Sequence, residues 1–293
     1  MKKKIVIIFG VIVLLGISLY FSRHWLLDVY EGLNKPSLPT PVAYDDQKQE
    51  VGQAGRIADP PPSPIEGGMA TSEHFVLESS PQNTQPKTEP VDPLAVEVQI
   101  PTELNLDVPW MSQAPNSNWD YPYQEACEEA SMIMVDRFYK KQTGRIDPDD
   151  ADKAILDLVD YEKESLGMYE DTNAEETAKI ISDYFGYKDV RVLPLTSALD
   201  IKSVLARGYP VIVPFSGKDL KNPNYKNGGP LYHMMVIKGY TNDEQFITGD
   251  PGTRKGQDYI YPYDRIMEAA HDWNGGNVSQ GAKYMIIVLP NLE

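Results

Sequence analysis

The chain runs His233-Met234-Met235-Val236-Ile237-Lys238-Gly239-Tyr240, then Thr241-Asn242-Asp243-Glu244, then Gln245-Phe246-Ile247-Thr248-Gly249-Asp250. An apolar, β-branched run, a polar four-residue turn and a second such run predict a β-hairpin. Folding back at residues 241–244 brings Asp250 toward His233 across paired strands. A carboxylate there could hold an imidazole in one tautomer and steady its cation. Asp250-Pro251-Gly252 is also good turn chemistry in its own right. His233 opens its strand, so its ring can project from the strand end, although a histidine entering a strand is more often structural.

Outward from the hairpin, further strands are expected at about 209–215 and 284–289, with a last helix at about 262–271. Upstream the period changes. Ala130, Met134, Val135 and Phe138 mark one face of a helix over about 126–141, and Ala151, Ala154, Ile155, Leu158 and Val159 mark a second. Ala174, Thr177, Ala178, Ile181 and Phe185 mark a third, with Asn173 as N-cap and Gly186 as stop. A short helix over about 197–207 ends at Gly208. Helices followed by a run of strands indicate an α+β fold with an antiparallel sheet.

Cys127 is the single cysteine of 293 residues. It excludes an intramolecular disulfide framework and any zinc site built on paired cysteines. It falls at the start of the first expected helix, where the positive end of the dipole stabilises a thiolate. That placement suits a nucleophile; the alternative is a small buried hydrophobe. The expected domain holds two histidines, and His271, near a helix end beside Asp272, suits a cap better than a base. His233 is therefore the candidate base and Asp250 its candidate orienter.

The protein carries 27 Lys and Arg against 43 Asp and Glu, a net charge of −16. Residues 1–101 hold 8 of those bases and 12 of those acids, so a net −12 belongs to the remainder. Such a balance argues against a nucleic-acid partner, which needs clustered bases. Asp147-Pro148-Asp149-Asp150-Ala151-Asp152 lacks calcium-loop spacing and reads as a helix-capping turn. Asn274-Gly275-Gly276-Asn277 lacks the lysine and context of a phosphate loop. No metal or cofactor is called for, and nothing fixes an oligomeric state.

The N-terminal third reads differently. Lys2-Lys3-Lys4 precedes an uncharged apolar run from Ile5 to Phe21, about 25 Å long as a helix, near the short end for a membrane span. Bulky and basic residues follow where a signal-peptide cleavage site would need small ones, so residues 1–28 are expected to be an uncleaved signal-anchor. The lysines place its N-terminus in the cytoplasm and the rest outside. Twelve of the 24 prolines fall between Pro36 and Pro101, so residues 29–103 are read as a disordered linker and 104–293 as the folded domain. The expected location is a cell membrane, single-pass, with the C-terminal domain extracytoplasmic.

Val108-Pro109-Trp110-Met111-Ser112-Gln113, Cys127-Glu128-Glu129-Ala130-Ser131-Met132, the run His233 to Tyr240 and Ile247-Thr248-Gly249-Asp250-Pro251 together resemble the papain-like cysteine peptidases related to the double-glycine (bacteriocin-leader) processing peptidases, in the branch that lacks a transporter. The resemblance spans about 104–290. It implies a papain-like fold, a catalytic triad of Cys127, His233 and Asp250, and Gln113 as the oxyanion-hole side chain, with the Cys127 N–H as second donor. It also implies a peptide or protein substrate, cleaved through an acyl-enzyme. A catalytically silent peptide- or cell-wall-binding domain and an acyltransferase are the alternatives. Two features depart from the pattern. Fourteen residues separate Gln113 from Cys127, which leaves Gln124 as a possible substitute donor. Glu128-Glu129 stands where many relatives carry glycine; these acids suit the helix dipole, yet oppose a thiolate or favour a basic substrate.

Overall fold

The computed structural model describes residues 36–44 and 92–291. The unit described below is Thr40–Glu293. The expected anchor helix at Ile5 to Phe21 and most of the expected linker lie outside the described residues. Among the described residues no helix is long and apolar enough to cross a membrane.

In chain order the strands are β1 (Leu104–Asn105), β2 (Asp189–Pro194), β3 (Val211–Ser216), β4 (Tyr232–Tyr240), β5 (Gln245–Gly249), β6 (Gln257–Pro262) and β7 (Tyr284–Leu289). The helices are α1 (Cys127–Tyr139), α2 (Pro148–Ser165), α3 (Ala174–Phe185), α4 (Ala198–Leu205) and α5 (Tyr263–Ala269). The sheet order is β2-β7-β3-β4-β5-β6, with β1 added to β4, and every pairing is antiparallel. The expected α+β class and antiparallel sheet are what the structure shows. The split into helices first and strands second is only approximate, because β2 lies between α3 and α4.

Helices α2 and α3, which flank the site, are locked at their N-termini by side chains. Asp147 accepts from the N–H groups of Asp149 and Asp150 to start α2, as the capping reading expects. Asn173 accepts from Glu175 and Glu176, and the Glu176 carboxylate returns to the Asn173 N–H, a reciprocal capping box for α3. Helix α1 differs: Ala126 occupies its N-cap position and makes no side-chain cap bond. Its face Ala130, Met134, Val135 and Phe138 is buried.

Strand β4 is buried along all nine residues and is bordered unequally. On one edge β3 pairs with Tyr232 to Ile237, and β1 pairs with Gly239 and Tyr240. On the other edge β5 reaches only from Tyr240 back to Val236. Met234 lies opposite Pro214. Proline has no N–H, so this pair cannot exchange ladder bonds, and Met234 must direct its own N–H and C=O to the edge that β5 leaves bare. Helix α1 fills that gap: Ser131 Oγ donates to the Met234 carbonyl at 3.2 Å.

The domain also holds parts of the segment read as linker. Val42 N–H donates to the Asn105 carbonyl at 2.8 Å and the Val42 carbonyl accepts from Asp107 N–H at 2.9 Å. Tyr44 packs edge-on against Phe138 and Tyr139. Arg191 pairs with Asp92, and Arg207 donates to the carbonyls of Leu94 and Val96. Composition placed the boundary at 104 because these contacts are isolated anchors in a polar, proline-rich stretch with no period of their own.

At Gly239 the β1 backbone approaches so closely that an added Cβ would lie 2.3 Å from the Leu104 oxygen and 2.8 Å from the Asn105 Cα. Gly239→Ala is therefore expected to destabilise the domain by about 2 kcal/mol or more. Urea denaturation would show a lowered midpoint; an unchanged one would mean that β1 yields freely.

Candidate active site

Strand β4 presents His233 at its first turn of pairing, and the β4–β5 hairpin returns Asp250 beside it, as the sequence predicts. His233 Nε2 and Asp250 Oδ1 are 2.9 Å apart, with both side chains buried. The Gly252 N–H also donates to Oδ1 at 2.9 Å. Oδ2 accepts from Tyr225 Oη at 2.6 Å, Tyr261 Oη at 2.9 Å and Asn222 Nδ2 at 3.2 Å. Burial opposes the charge on Asp250, but His233 and the hydrogen bonds from His233, Tyr225 and Tyr261 outweigh it and hold the carboxyl below the ordinary aspartate range. A carboxylate accepts only, so Nε2 carries the hydrogen and neutral His233 has its basic lone pair on Nδ1.

Asn222, Tyr225 and Tyr261 are site residues the sequence reading missed. They come from the β3–β4 connection and from β6, and no motif marks them. The Tyr225 ring meets the His233 ring edge-on, 5.4 Å between centroids. Gly252 leaves the imidazole room: a Cβ there would be 2.8 Å from His233 Cε1. Trp110 Nε1 donates to the Asp250 carbonyl at 3.1 Å, which ties the Val108–Gln113 segment to the turn after β5. His271 has no part in the site. It lies beyond the end of α5 and bonds through Nδ1 to the Gly281 carbonyl at 2.7 Å, so it secures a loop instead of capping the helix.

Cys127 is the first residue of α1, 6% exposed, against the bare edge of β4. Its thiol donates to Glu128 Oε2 at 3.0 Å. No hydrogen bond joins the sulfur to the His233 ring. Burial pushes the thiol pKa well up, the Glu128 carboxyl pushes it further, and the Met234 N–H acts in the opposite sense. Met234 follows His233 in the chain, so sulfur and imidazole belong to one small region of the fold.

The buried Gln113 side chain reaches the same helix start, but Nε2 donates to the carbonyls of Tyr123 at 3.0 Å and Gln124 at 3.1 Å. Both of its hydrogens are thereby engaged, while Gln113 Oε1 has no hydrogen-bond partner. Gln124 is exposed. The first-turn N–H groups of a helix have no internal acceptor. Those of Glu128 and Glu129 act on their own carboxyls, and Ala126 offers the turn no side-chain cap.

Beneath the cysteine lies a layer of acids. Glu128, Glu129 and Glu162 are each at most 1% exposed. Glu129 meets only its own N–H and Glu162, and no other donor reaches either of these carboxyls or Glu128 Oε1. Burial raises all three carboxyls, and mutual repulsion adds to it: Glu129 raises Glu128, Glu162 raises Glu129, and Glu128 raises Glu162. Glu162 is pushed up to about 8. Three acids under a thiol suggest a cation site, but among the described residues no group of His, Cys, Asp or Glu has the geometry to hold a metal.

The model of the Peptidase_C39-like family matches residues 105–277. No curated protein matches the chain. Among solved structures, a C39-like peptidase from Bacillus anthracis is similar at 15% identity with a TM-score of 0.44, over 65% of this chain and 99% of that one.

The buried acids set a pH dependence. A carboxyl raised in the folded state stabilises the fold below its unfolded pKa, near 4.5, and that contribution is lost as pH rises through the folded value, about 8 for Glu162. Asp250 has the opposite sign: its contribution is present above the ordinary value of 3.8 and is lost as pH falls. Stability should therefore peak in mildly acidic buffer and decline by a few kcal/mol toward alkaline pH. Melting curves from about pH 5 to about pH 9 should flatten in Glu162→Gln; an equally steep decline in that variant would exclude the acid layer as the cause.

Proposed function

The chain belongs to the Peptidase_C39-like family, and on that premise we propose that it is a membrane-tethered, extracytoplasmic cysteine peptidase working through Cys127, His233 and Asp250. The observation that carries this reading is the saturated, buried Asp250–His233 pair on the strand whose next residue, Met234, meets the Cys127 helix. His233 Nδ1 takes the thiol proton. The thiolate attacks the peptide carbonyl, and the imidazolium returns the proton to the leaving amine. Water, deprotonated by the same nitrogen, then hydrolyses the thioester. The Cys127 N–H at the helix start supports the oxyanion; Gln113 joins it once its amide leaves the Tyr123 and Gln124 carbonyls. Before any of this, the thiol must leave Glu128 and turn toward His233.

That resting arrangement also favours a second reading, a peptidase-like domain that binds a peptide or cell-wall partner without turnover. The same triad could pass the acyl group to an amine, as an acyltransferase would.

Cleavage of a peptide library by the full chain, read by mass spectrometry, separates the readings. Turnover should vanish in Cys127→Ala and fall roughly a thousandfold in Asp250→Asn, which presents the wrong partner to Nε2. In Glu128→Gln the thiol loses its acidic neighbour, and the pH midpoint for alkylation by a peptidyl electrophile should drop by about one unit or more. Undiminished cleavage by Cys127→Ala would end the peptidase reading. An added amine appearing in the products would point to acyl transfer.

Tethering rests on the apolar run Ile5 to Phe21 behind three lysines and on the proline-rich stretch after it. In membranes washed with alkaline carbonate, the chain should stay in the pellet, with its C-terminal domain open to protease added from outside. Release into the wash would contradict the anchor.

A further inference from the structure

The connection leading into α1 and the one between α2 and α3 converge beside the nucleophile, and both are acidic. Thr172 accepts a hydrogen bond at its carbonyl from Tyr232 Oη, 3.1 Å away, immediately before His233 in the chain. Asp171 is therefore carried to the edge of the catalytic strand. Asp171 and Glu170 act electrostatically on Glu125, and Asp171 acts on Glu128, so the four carboxyls share one region. None of the four forms an ion pair with a described cation; Lys163, on the same side, lies over the Tyr169 ring at 4.8 Å instead.

Acidic side chains on loops are common, and their number alone identifies nothing. Glu128 is the separate observation. It is 1% exposed, accepts the thiol hydrogen and feels the charge of Asp171, and its Oε1 is a buried acceptor that no donor from elsewhere in the chain reaches. Leaving such an atom unpaired is costly, and a donor from outside the chain removes that cost. An ammonium or guanidinium supplies several hydrogens and a charge opposite to the cluster. Tyr121, 62% exposed on the approach to α1 and electrostatically coupled to Tyr169, offers a face for the aliphatic stem and the cation.

Resting on the peptidase reading above, we infer that the peptide taken by this site carries a lysine or arginine side chain next to the scissile bond, held by Glu125, Glu128 and Asp171. Seating the cation on Glu128 has a consequence for the nucleophile. The carboxyl that accepts the Cys127 thiol hydrogen acquires a stronger donor, and the thiol is released toward His233. Substrate charge and thiol activation become one event.

The test measures binding apart from turnover. Full-length Cys127→Ser protein is titrated by fluorescence anisotropy with peptide mixtures that differ at one fixed position, Lys, Arg, Gln or Glu. The Lys and Arg mixtures should bind roughly tenfold tighter than the Gln mixture, with Glu weakest, and the advantage should shrink as salt rises. Glu125→Gln combined with Asp171→Asn, both away from the reacting atoms, should erase most of it, while circular dichroism shows the fold intact. Equal binding of the Lys, Arg and Gln mixtures, or a preference that survives in the double variant, overturns the inference. Cleavage of the same mixtures by the unsubstituted chain separates the two: cleavage without basic preference removes the inference and leaves the peptidase. Basic preference in binding without cleavage removes the peptidase and leaves only a basic-peptide binding site at these acids.

Discussion

A proline in the middle of the sheet sets the geometry of the whole site. Pro214 cannot donate to β4, so Met234 must direct both its backbone groups to the far edge. Strand β5 ends its pairing at Val236 and leaves that edge unmet. A buried strand with bare N–H and C=O groups is unstable, and helix α1 supplies the partners: the Ser131 hydroxyl on the carbonyl, and the Cys127 sulfur beside the N–H. The contact that completes the sheet is thus the one that fixes the cysteine beside Met234, the residue after His233. Moving β5 by two residues would cover the edge and expel the helix start.

The charge arrangement follows from how each carboxyl is solvated by the protein. Asp250 is as buried as Glu129, yet they are pushed in opposite directions. Asp250 receives five donors and remains an anion that can steady an imidazolium. Glu129 and Glu162 meet little beyond each other and the Glu129 N–H, and are driven toward the neutral acid. Burial alone does not decide a carboxyl's role; the number of hydrogen bonds offered to its charged form does.

That distinction limits what a sequence discloses. The hairpin was legible because β4 and β5 are buried through the sheet and read as continuous apolar runs around a polar turn. The 17-residue return from His233 to Asp250 followed from it. Helices α2 and α3 were legible because their caps and apolar faces lie within a few residues of one another. Strands β2 and β6 escaped because they are the two edges of the sheet; each is mostly half-buried, β2 mixing charges with aliphatics and β6 an acid with tyrosines. The two-residue β1 has no pattern to find. Asn222, Tyr225 and Tyr261 meet Asp250 from 28, 25 and 11 residues away, through folds of chain that no local period describes. The resemblance implied a role for Gln113, but which of its amide atoms meets a partner depends on the path of the loop at 114–126.

The uncapped start of α1 is best understood beside that loop. A serine or aspartate at position 126 would stabilise the helix by about 1 kcal/mol, and α2 and α3 show that this chain uses such caps freely. A capping oxygen at position 126 would accept from the Glu128 or Glu129 N–H and set another acceptor near the thiol. Without such a cap, Glu128 is the one acceptor among the described residues that takes the thiol hydrogen. The restraint is a single hydrogen bond to a carboxyl that is itself unfavourably buried. It is weak enough to be exchanged for a better donor, which a fixed cap at the end of the helix would not permit.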